Sequence, residues 1–165
     1  MNPTQLSREL REAQTPDLRR RRWIVGLSLL GVAMGQIVSL YQTGILKDLP
    51  DPPGPFDSAR VDASDYAYRR LQTPDALMMV VSYGATAWLA AAGGKDRADD
   101  LPLLPVAMGL KILGDALTAA ELGREEWAEN RALCAYCQVA TVASLASVAL
   151  ALPETRRALG NLLRR

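Results

Sequence analysis

Residues 132–152 read ALCAYCQVATVASLASVALAL and contain no charged side chain. At a rise of about 1.5 Å per residue, a helix of this length approaches the roughly 30 Å thickness of a bilayer's hydrocarbon core. A soluble helix of the same length would carry a charged stripe along its exposed face. The stretch therefore predicts a membrane-spanning helix that ends at Pro153.

Three further apolar stretches of similar length precede it, at residues 23–41, 76–94 and 101–122. The first two are uncharged, whereas the third carries Lys111 and Asp115 near its middle. Because the local pattern is that of lipid-spanning segments, the average composition of the chain is a poor guide to its class. We expect an all-α membrane protein, a bundle of four transmembrane helices.

Lysine and arginine are unevenly distributed between the connections, and this asymmetry predicts the orientation. Most of them lie in the polar N-terminal segment 1–22, after the second stretch, and in the basic C-terminal segment 153–165. Short basic segments tend to stay cytoplasmic. We expect a mobile N-terminal tail, a membrane domain over 23–152 and a C-terminal tail, with both tails on the cytoplasmic side of a bacterial inner membrane.

The longest connection runs over residues 44–74 and opens with four prolines between residues 50 and 55. Prolines force an extended entry into the loop. The mixture of apolar and charged residues over 56–72 favours a short amphipathic helix on the extracytoplasmic membrane surface. A disordered loop is the alternative.

Composition excludes several classes of site. The chain has no histidine, which removes Ser-His-Asp and Cys-His catalysis, imidazole metal ligands and histidine-bound haem. Two cysteines alone leave a structural zinc site two ligands short, so no metal is expected. The net charge of +1, without a basic surface interleaved with aromatic residues, gives no indication of nucleic-acid binding.

Cys134 and Cys137 form a C-x-x-C motif at the predicted start of the last helix, on the extracytoplasmic side. The helix N-terminus and Arg131, one turn before the motif, are expected to stabilise a thiolate at Cys134. Cys137 lies one turn deeper and faces lipid, protein or a bound apolar molecule. The pair could pass two electrons between an aqueous thiol and a membrane-soluble acceptor, or it could be a structural disulfide or two buried thiols.

Polar residues in the other stretches have both functional and structural readings. Lys111 and Asp115 are four residues apart, so they share a helix face and can pair inside the bundle or serve a function. Asp75 follows Pro74 and is expected to cap the second helix. Small residues are expected at close helix contacts: Gly26, Gly31, Gly35, Ala143, Ser144 and Ser147.

Several pieces occur in an order that resembles the vitamin K epoxide reductase family of membrane thiol and quinone oxidoreductases. Residues 39–41 (SLY) end the first stretch, and 58–67 (SARVDASDYA) is similar to the family's Cys-x-x-Val-x-x-Ser-x-Tyr-Ala segment. The Thr-Pro of 73–74 leads to Tyr83, and 133–137 (LCAYC) is similar to the family's active-site motif.

The resemblance implies a four-helix bundle around a quinone, either ubiquinone or menaquinone, covered by the loop helix. Cys137 would lie next to the quinone ring, and Cys134 would exchange with a thioredoxin-like thiol protein. The residues expected to line the quinone or the active site are Ser64, Asp75, Tyr83 and Thr141.

This chain departs from the family pattern in the loop. The pair of loop cysteines that relays electrons in the family is missing, and Ser58 occupies the position of the second one. Thr141 also replaces a tyrosine that faces the quinone in the family.

Three hypotheses follow. The first is a thiol:quinone oxidoreductase in which Cys134 reacts directly with an external dithiol. The second is a catalytically reduced or inactive relative with a structural or binding role. The third is a small transporter or ion-coupling subunit built around Lys111 and Asp115.

Overall fold

The computed structural model describes residues 2–164 of the 165-residue chain; Met1 and Arg165, the last residue of the basic tail, lie outside this range. Within this range the chain forms helices and no strands. Its helices are α1 Pro3–Glu12, α2 Pro16–Gln42, α3 Ser58–Asp62, α4 Asp65–Tyr68, α5 Asp75–Ala91, α6 Arg97–Asp100, α7 Leu103–Asn130 and α8 Ala135–Leu163.

Three of these helices, α2, α7 and α8, are long and apolar enough to cross a membrane. They correspond to the predicted stretches 23–41, 101–122 and 132–152. Helix α5 is apolar as well, but with 17 residues it is shorter than the others. It ends at Ala91 rather than at residue 94, because Gly93 adopts a left-handed conformation with φ +79° that turns the chain.

The prediction that the last helix ends at Pro153 is wrong. Helix α8 continues through the proline to Leu163. A proline inside a helix removes one backbone hydrogen bond, but contacts beyond it hold the helix together. Glu154, the next residue, is buried and forms an ion pair with Arg97, with 2.8 Å between Oε1 and Nε.

The two ends of the chain are also more regular than expected. The N-terminal segment, predicted to be a mobile tail, contains helix α1, which Asn2 caps by accepting a hydrogen bond from the Thr4 N–H at 3.0 Å. The residues that follow Pro153, predicted to be a separate tail, are part of α8 as far as Leu163.

Two of the three glycines expected at close helix contacts lie at such contacts. A Cβ atom on Gly31 would lie 2.5 Å from the Tyr83 ring, and one on Gly35 would lie 3.0 Å from Met79. Gly26 has open space around it, so its predicted role in a close contact is wrong. The small residues of α8 are buried as expected: Ala143, Ser144 and Ser147.

Two buried arginines close the end of the bundle that lies opposite the cysteine pair. The Arg21 guanidinium donates hydrogen bonds to five carbonyl groups at the end of α5, those of residues 90–94. The last carbonyls of a helix have no partner within the helix, so Arg21 satisfies them. Arg97 donates to the Leu89 and Ala92 carbonyls and pairs with Glu154.

Candidate functional site

The cysteine pair lies at the start of α8 and is present as two free thiols. Cys134 is the N-cap of the helix, and its Sγ accepts a hydrogen bond from the Cys137 N–H at 3.2 Å. Cys134 is fully buried, with 0% of its surface exposed, whereas Cys137 is partly exposed. Cys134, the cysteine that was expected to exchange with an external thiol, is therefore shielded from solvent.

The loop that leads to α3 covers Cys134. Its backbone pairs with Leu133, whose carbonyl accepts from the Asp57 N–H at 3.1 Å and whose N–H donates to the Pro55 carbonyl at 3.0 Å. Ser58 accepts from the Ala135 N–H at 2.9 Å and donates to Asp51 at 2.5 Å. A hydroxyl of the loop thus caps the helix that carries Cys137.

The electrostatic environment of Cys134 differs from the prediction. Arg131 is exposed and ends α7 in a left-handed conformation, φ +52°, while the buried carboxyl of Asp62 lies beside the thiols. A hydrogen bond with Cys137 lowers the pKa of Cys134, but burial and Asp62 outweigh it and the pKa is raised. The expected stabilisation of a thiolate by Arg131 is therefore wrong.

Asp62 itself is a site residue that sequence reasoning missed. Burial raises the pKa of the Asp62 carboxyl to about 7, against the hydrogen bond with Cys134, which lowers it. One carboxyl oxygen and the sulfurs of Cys134 and Cys137 lie within 4.8 Å of one another. The acid occupies one of the unspecified positions of the loop segment, so no motif marks it.

Glu126 of α7 is a second site residue that the sequence analysis did not identify. Its Oε2 accepts hydrogen bonds from the Cys134 N–H at 3.3 Å and from Gln138 Nε2 at 3.4 Å. Its neighbours Glu125 and Glu129 point outward, toward arginines of the loop. The helical period distinguishes Glu126 from its neighbours. Glu126 lies four residues before Asn130, so both lie on the buried face of α7, whereas Glu125 and Glu129 do not have this spacing from Asn130.

A cavity of about 260 Å³ opens between α5, α7 and α8 beside Cys137. Three of the predicted lining residues, Asp75, Tyr83 and Thr141, contribute to its wall together with Cys137. Ser64 is outside the wall, and its hydroxyl donates to the Val61 carbonyl at 2.6 Å. The structure thus brings one cysteine and three of the four expected residues to one space.

The polar groups of these residues are engaged with the protein. The Tyr83 hydroxyl lies 2.6 Å from the Ala140 carbonyl and 2.7 Å from Ser144 Oγ. Thr141 Oγ1 donates to the Cys137 carbonyl at 2.9 Å.

The predicted cap of α5 also involves a partner on another helix. Gln42, at the end of α2, donates from Nε2 to the Asp75 carboxylate at 2.8 Å. Its Oε1 accepts from the Ala76 N–H at 3.3 Å. Gln42 therefore shares the capping that was expected of Asp75, whose carboxylate also interacts with the Ala76 N–H, and Asp75 holds the Gln42 side chain in place.

A sequence model of the vitamin K epoxide reductase family matches residues 22–152. The matched range covers most of the chain and includes the long loop and both cysteines. The chain belongs to the vitamin K epoxide reductase family. No curated protein and no solved structure shows a significant match. Family membership implies membrane thiol–quinone oxidoreductase activity in general, with a quinone as electron partner.

In this vitamin K epoxide reductase family member, Lys111 and Asp115 of α7 pair with each other, which was one of the two alternatives that their spacing left open. Lys111 Nζ lies 2.6 Å from Asp115 Oδ2. The ammonium also donates to Ser82 Oγ at 2.8 Å and to Thr86 Oγ1 at 3.1 Å, both on α5. The charges thus neutralise each other between α5 and α7.

Proposed function

We propose that this chain is a membrane thiol:quinone oxidoreductase in which Cys134 and Cys137 alternate between dithiol and disulfide. Two electrons pass from an external protein thiol through the pair to ubiquinone or menaquinone. The observation that carries the proposal is that Cys137 lines the cavity while Cys134, within one helical turn, lies outside it. The inner thiol can meet an apolar electron acceptor, and the outer thiol can form the disulfide.

The cavity suits the ring of a quinone. Its volume of about 260 Å³ lies just below the roughly 300–1,000 Å³ of pockets that enclose drug-sized ligands. Its wall is mostly apolar, with Met78, Met79 and Leu122 among its residues. The head of a quinone, one ring in ubiquinone or two fused rings in menaquinone, is of the right size for this space, whereas the apolar tail would extend into lipid.

The membrane topology of the proposal counts α5 as the fourth span. At about 1.5 Å per residue its 17 residues cover about 26 Å, slightly less than the hydrocarbon core, and local thinning of the bilayer accommodates such a difference. The basic segments at the Arg21 end face the cytoplasm of a bacterial cell. The cysteine pair and the short helices α3 and α4 then face the extracytoplasmic side, where a thioredoxin-like protein supplies thiols.

The buried position of Cys134 has a consequence for that exchange. An attacking thiolate must reach its sulfur directly. The loop around Ser58 covers Cys134, so an external dithiol has to displace this loop.

Single turnover under anaerobic conditions tests the proposal. The detergent-purified protein is reduced with a dithiol, freed of reductant and mixed with ubiquinone or menaquinone, while quinol and free thiols are measured. We expect one quinol for each pair of thiols lost. Folded protein that retains two titratable thiols and forms no quinol with either quinone would contradict the proposal.

Cysteine variants assign the two roles. Cys137→Ala is expected to abolish quinol formation, because it removes the only thiol that lines the cavity. Cys134→Ala is expected to stop exchange with a reduced thiol protein. Undiminished quinol formation by Cys137→Ala would refute the assignment of the inner cysteine.

A second candidate is a relative that keeps the fold and has a structural or binding role. It is favoured by the hydroxyl of Ser58 where the family has a thiol, and by the complete burial of Cys134. In that case both cysteine variants would unfold more readily in detergent, and the wild-type protein would form no quinol.

A further inference from the structure

Asp62 is the last residue of α3 and is only 2% exposed. A carboxyl oxygen lies within 4.8 Å of both thiol sulfurs. Its Oδ2 atom is buried and finds no hydrogen-bond partner within residues 2–164. A buried carboxyl with an unsatisfied oxygen costs folding free energy, so its presence beside two thiols calls for a chemical explanation.

The neighbouring elements present acids, thiols and a phenol to Asp62 rather than a compensating cation. An arginine or lysine in contact would have made Asp62 half of an ion pair. The titratable groups that face it are Asp51 of the loop, Tyr68 of α4, Asp75 of α5, Glu126 of α7, and Cys134 and Cys137 of α8.

The other three acids accept hydrogen bonds and lie outside the cluster that Asp62 forms with the two sulfurs. Glu126 accepts from the Cys134 N–H and from Gln138, Asp75 accepts from Gln42, and Asp51 accepts from Ser58. The chain has no histidine that could act as a base. Asp62 is therefore the acid that lies within 4.8 Å of both sulfurs and has an oxygen without a hydrogen-bond partner among residues 2–164.

We propose that Asp62 is the proton acceptor of the Cys134 thiol, holding its proton while the disulfide exists and returning it when the dithiol is restored. The inference rests on the proposed thiol:quinone chemistry and adds to it the group that activates the outer cysteine. Because a thiol must lose its proton to act as a nucleophile, the acceptor determines how readily Cys134 closes the disulfide.

The atoms and electrons of the step balance. Two S–H bonds break and one S–S bond forms between Cys134 and Cys137, which releases two electrons and two protons. The quinone takes up the two electrons and gains two O–H bonds. One of its protons comes from Cys137 and the other from water, because Asp62 keeps the Cys134 proton while the disulfide exists. When an external dithiol reduces the disulfide, Asp62 returns that proton to Cys134, Cys137 takes one proton from the dithiol, and the second dithiol proton passes to water.

The experiment compares wild type with Asp62→Asn in anaerobic single turnover between pH 5.5 and 9. Since the carboxyl must be ionised to accept a proton, the wild-type rate should rise through the pKa of Asp62, about 7. The amide cannot take a proton. We expect Asp62→Asn to lose this step in the profile and to be about 100-fold slower at pH 8, the lower end of the usual range for general-base catalysis.

The direction of the effect separates proton transfer from simple electrostatics. Asp62 contributes to raising the pKa of Cys134, so its neutralisation makes the thiolate more abundant. Ultraviolet absorbance of the thiolate against pH measures this directly. A role through charge alone therefore predicts a faster reaction in Asp62→Asn, and a faster or unchanged rate would overturn the proposal.

Control variants keep the inference separable from the proposed function. Asp65→Asn removes an exposed acid three residues away and is expected to behave as wild type. Asp62→Glu retains a carboxyl and should recover part of the rate. If wild-type protein forms no quinol, the proposed function fails and the inference fails with it; if wild type is active and Asp62→Asn matches it at every pH, the inference alone is wrong.

Discussion

Ser58 Oγ accepts a hydrogen bond from the Ala135 N–H at 2.9 Å, so a loop side chain caps the helix that carries the cysteine pair. The same hydroxyl donates to Asp51, whose other carboxylate oxygen accepts the Ser58 N–H at 2.6 Å. The first turn of α8 and the loop over Cys134 are therefore held by one polar cluster. Position 58 therefore acts as a helix cap in this chain.

The substitution Ser58→Cys should place a thiol where it can form a disulfide with Cys134. Because Ser58 Oγ contacts the residue after Cys134, the thiol of Ser58→Cys should lie within reach of the Cys134 sulfur. We expect oxidation of this variant to form a disulfide between position 58 and Cys134, detected by mass spectrometry of non-reduced peptides. Ser64→Cys, whose hydroxyl position faces the Val61 carbonyl instead, is the matched control. Equal cross-linking of the two variants would show that the loop does not hold position 58 near Cys134.

The packing of α2 against α5 depends on Gly31. A Cβ atom there would overlap the Tyr83 ring at 2.5 Å, so Gly31→Ala must displace a side chain that lines the cavity. We expect destabilisation by about 1–3 kcal/mol, the usual cost of overpacking, measured by unfolding in detergent. Gly26→Ala on the same helix has open space and should stabilise by up to about 1 kcal/mol. Similar values for the two variants would contradict this packing.

The buried pair of Arg97 and Glu154 should be essential for the end of the bundle opposite the cysteines. Glu154→Gln leaves the Arg97 charge buried without its partner, which typically costs about 3–5 kcal/mol. The comparison is Glu121→Gln, which breaks an exposed pair with Arg124 and should change stability by less than about 1 kcal/mol. Thermal unfolding of both variants measures the difference, and equal losses would argue against a structural role for the buried pair.

Asp62 should make stability depend on pH. Its pKa is about 7 in the folded protein against 3.8 for an ordinary aspartate, so the folded state holds a proton that the unfolded state has released. Stability therefore falls as pH rises from about 4 through 7, by up to about 4 kcal/mol in total. Asp62→Asn removes the contribution of Asp62 to this dependence and should be the more stable protein at pH 8. Parallel unfolding midpoints for wild type and variant between pH 5 and 8 would contradict the burial of an unpaired carboxyl.

Local features of the sequence predicted a large part of the molecule. Long runs of mostly apolar residues predicted the three long apolar helices, because charged side chains are costly in lipid and are therefore rare along a membrane-spanning helix. The spacing of Lys111 and Asp115 predicted their ion pair, because residues four apart share a helix face. The C-x-x-C motif and its surroundings indicated the family.

Only the tertiary structure decided the chemistry around the thiols. Desolvation and hydrogen bonding depend on which elements pack together, and Asp62 and Glu126 meet Cys134 from α3 and α7. The motif at a helix N-terminus indicated an activated thiol, but burial and a neighbouring acid raise its pKa instead. Helix α8 likewise continues past Pro153 because Glu154 forms a buried ion pair with Arg97 of α6. Whether a segment forms an apolar helix depends on its own residues, whereas the protonation and accessibility of a side chain depend on neighbours that are distant in sequence.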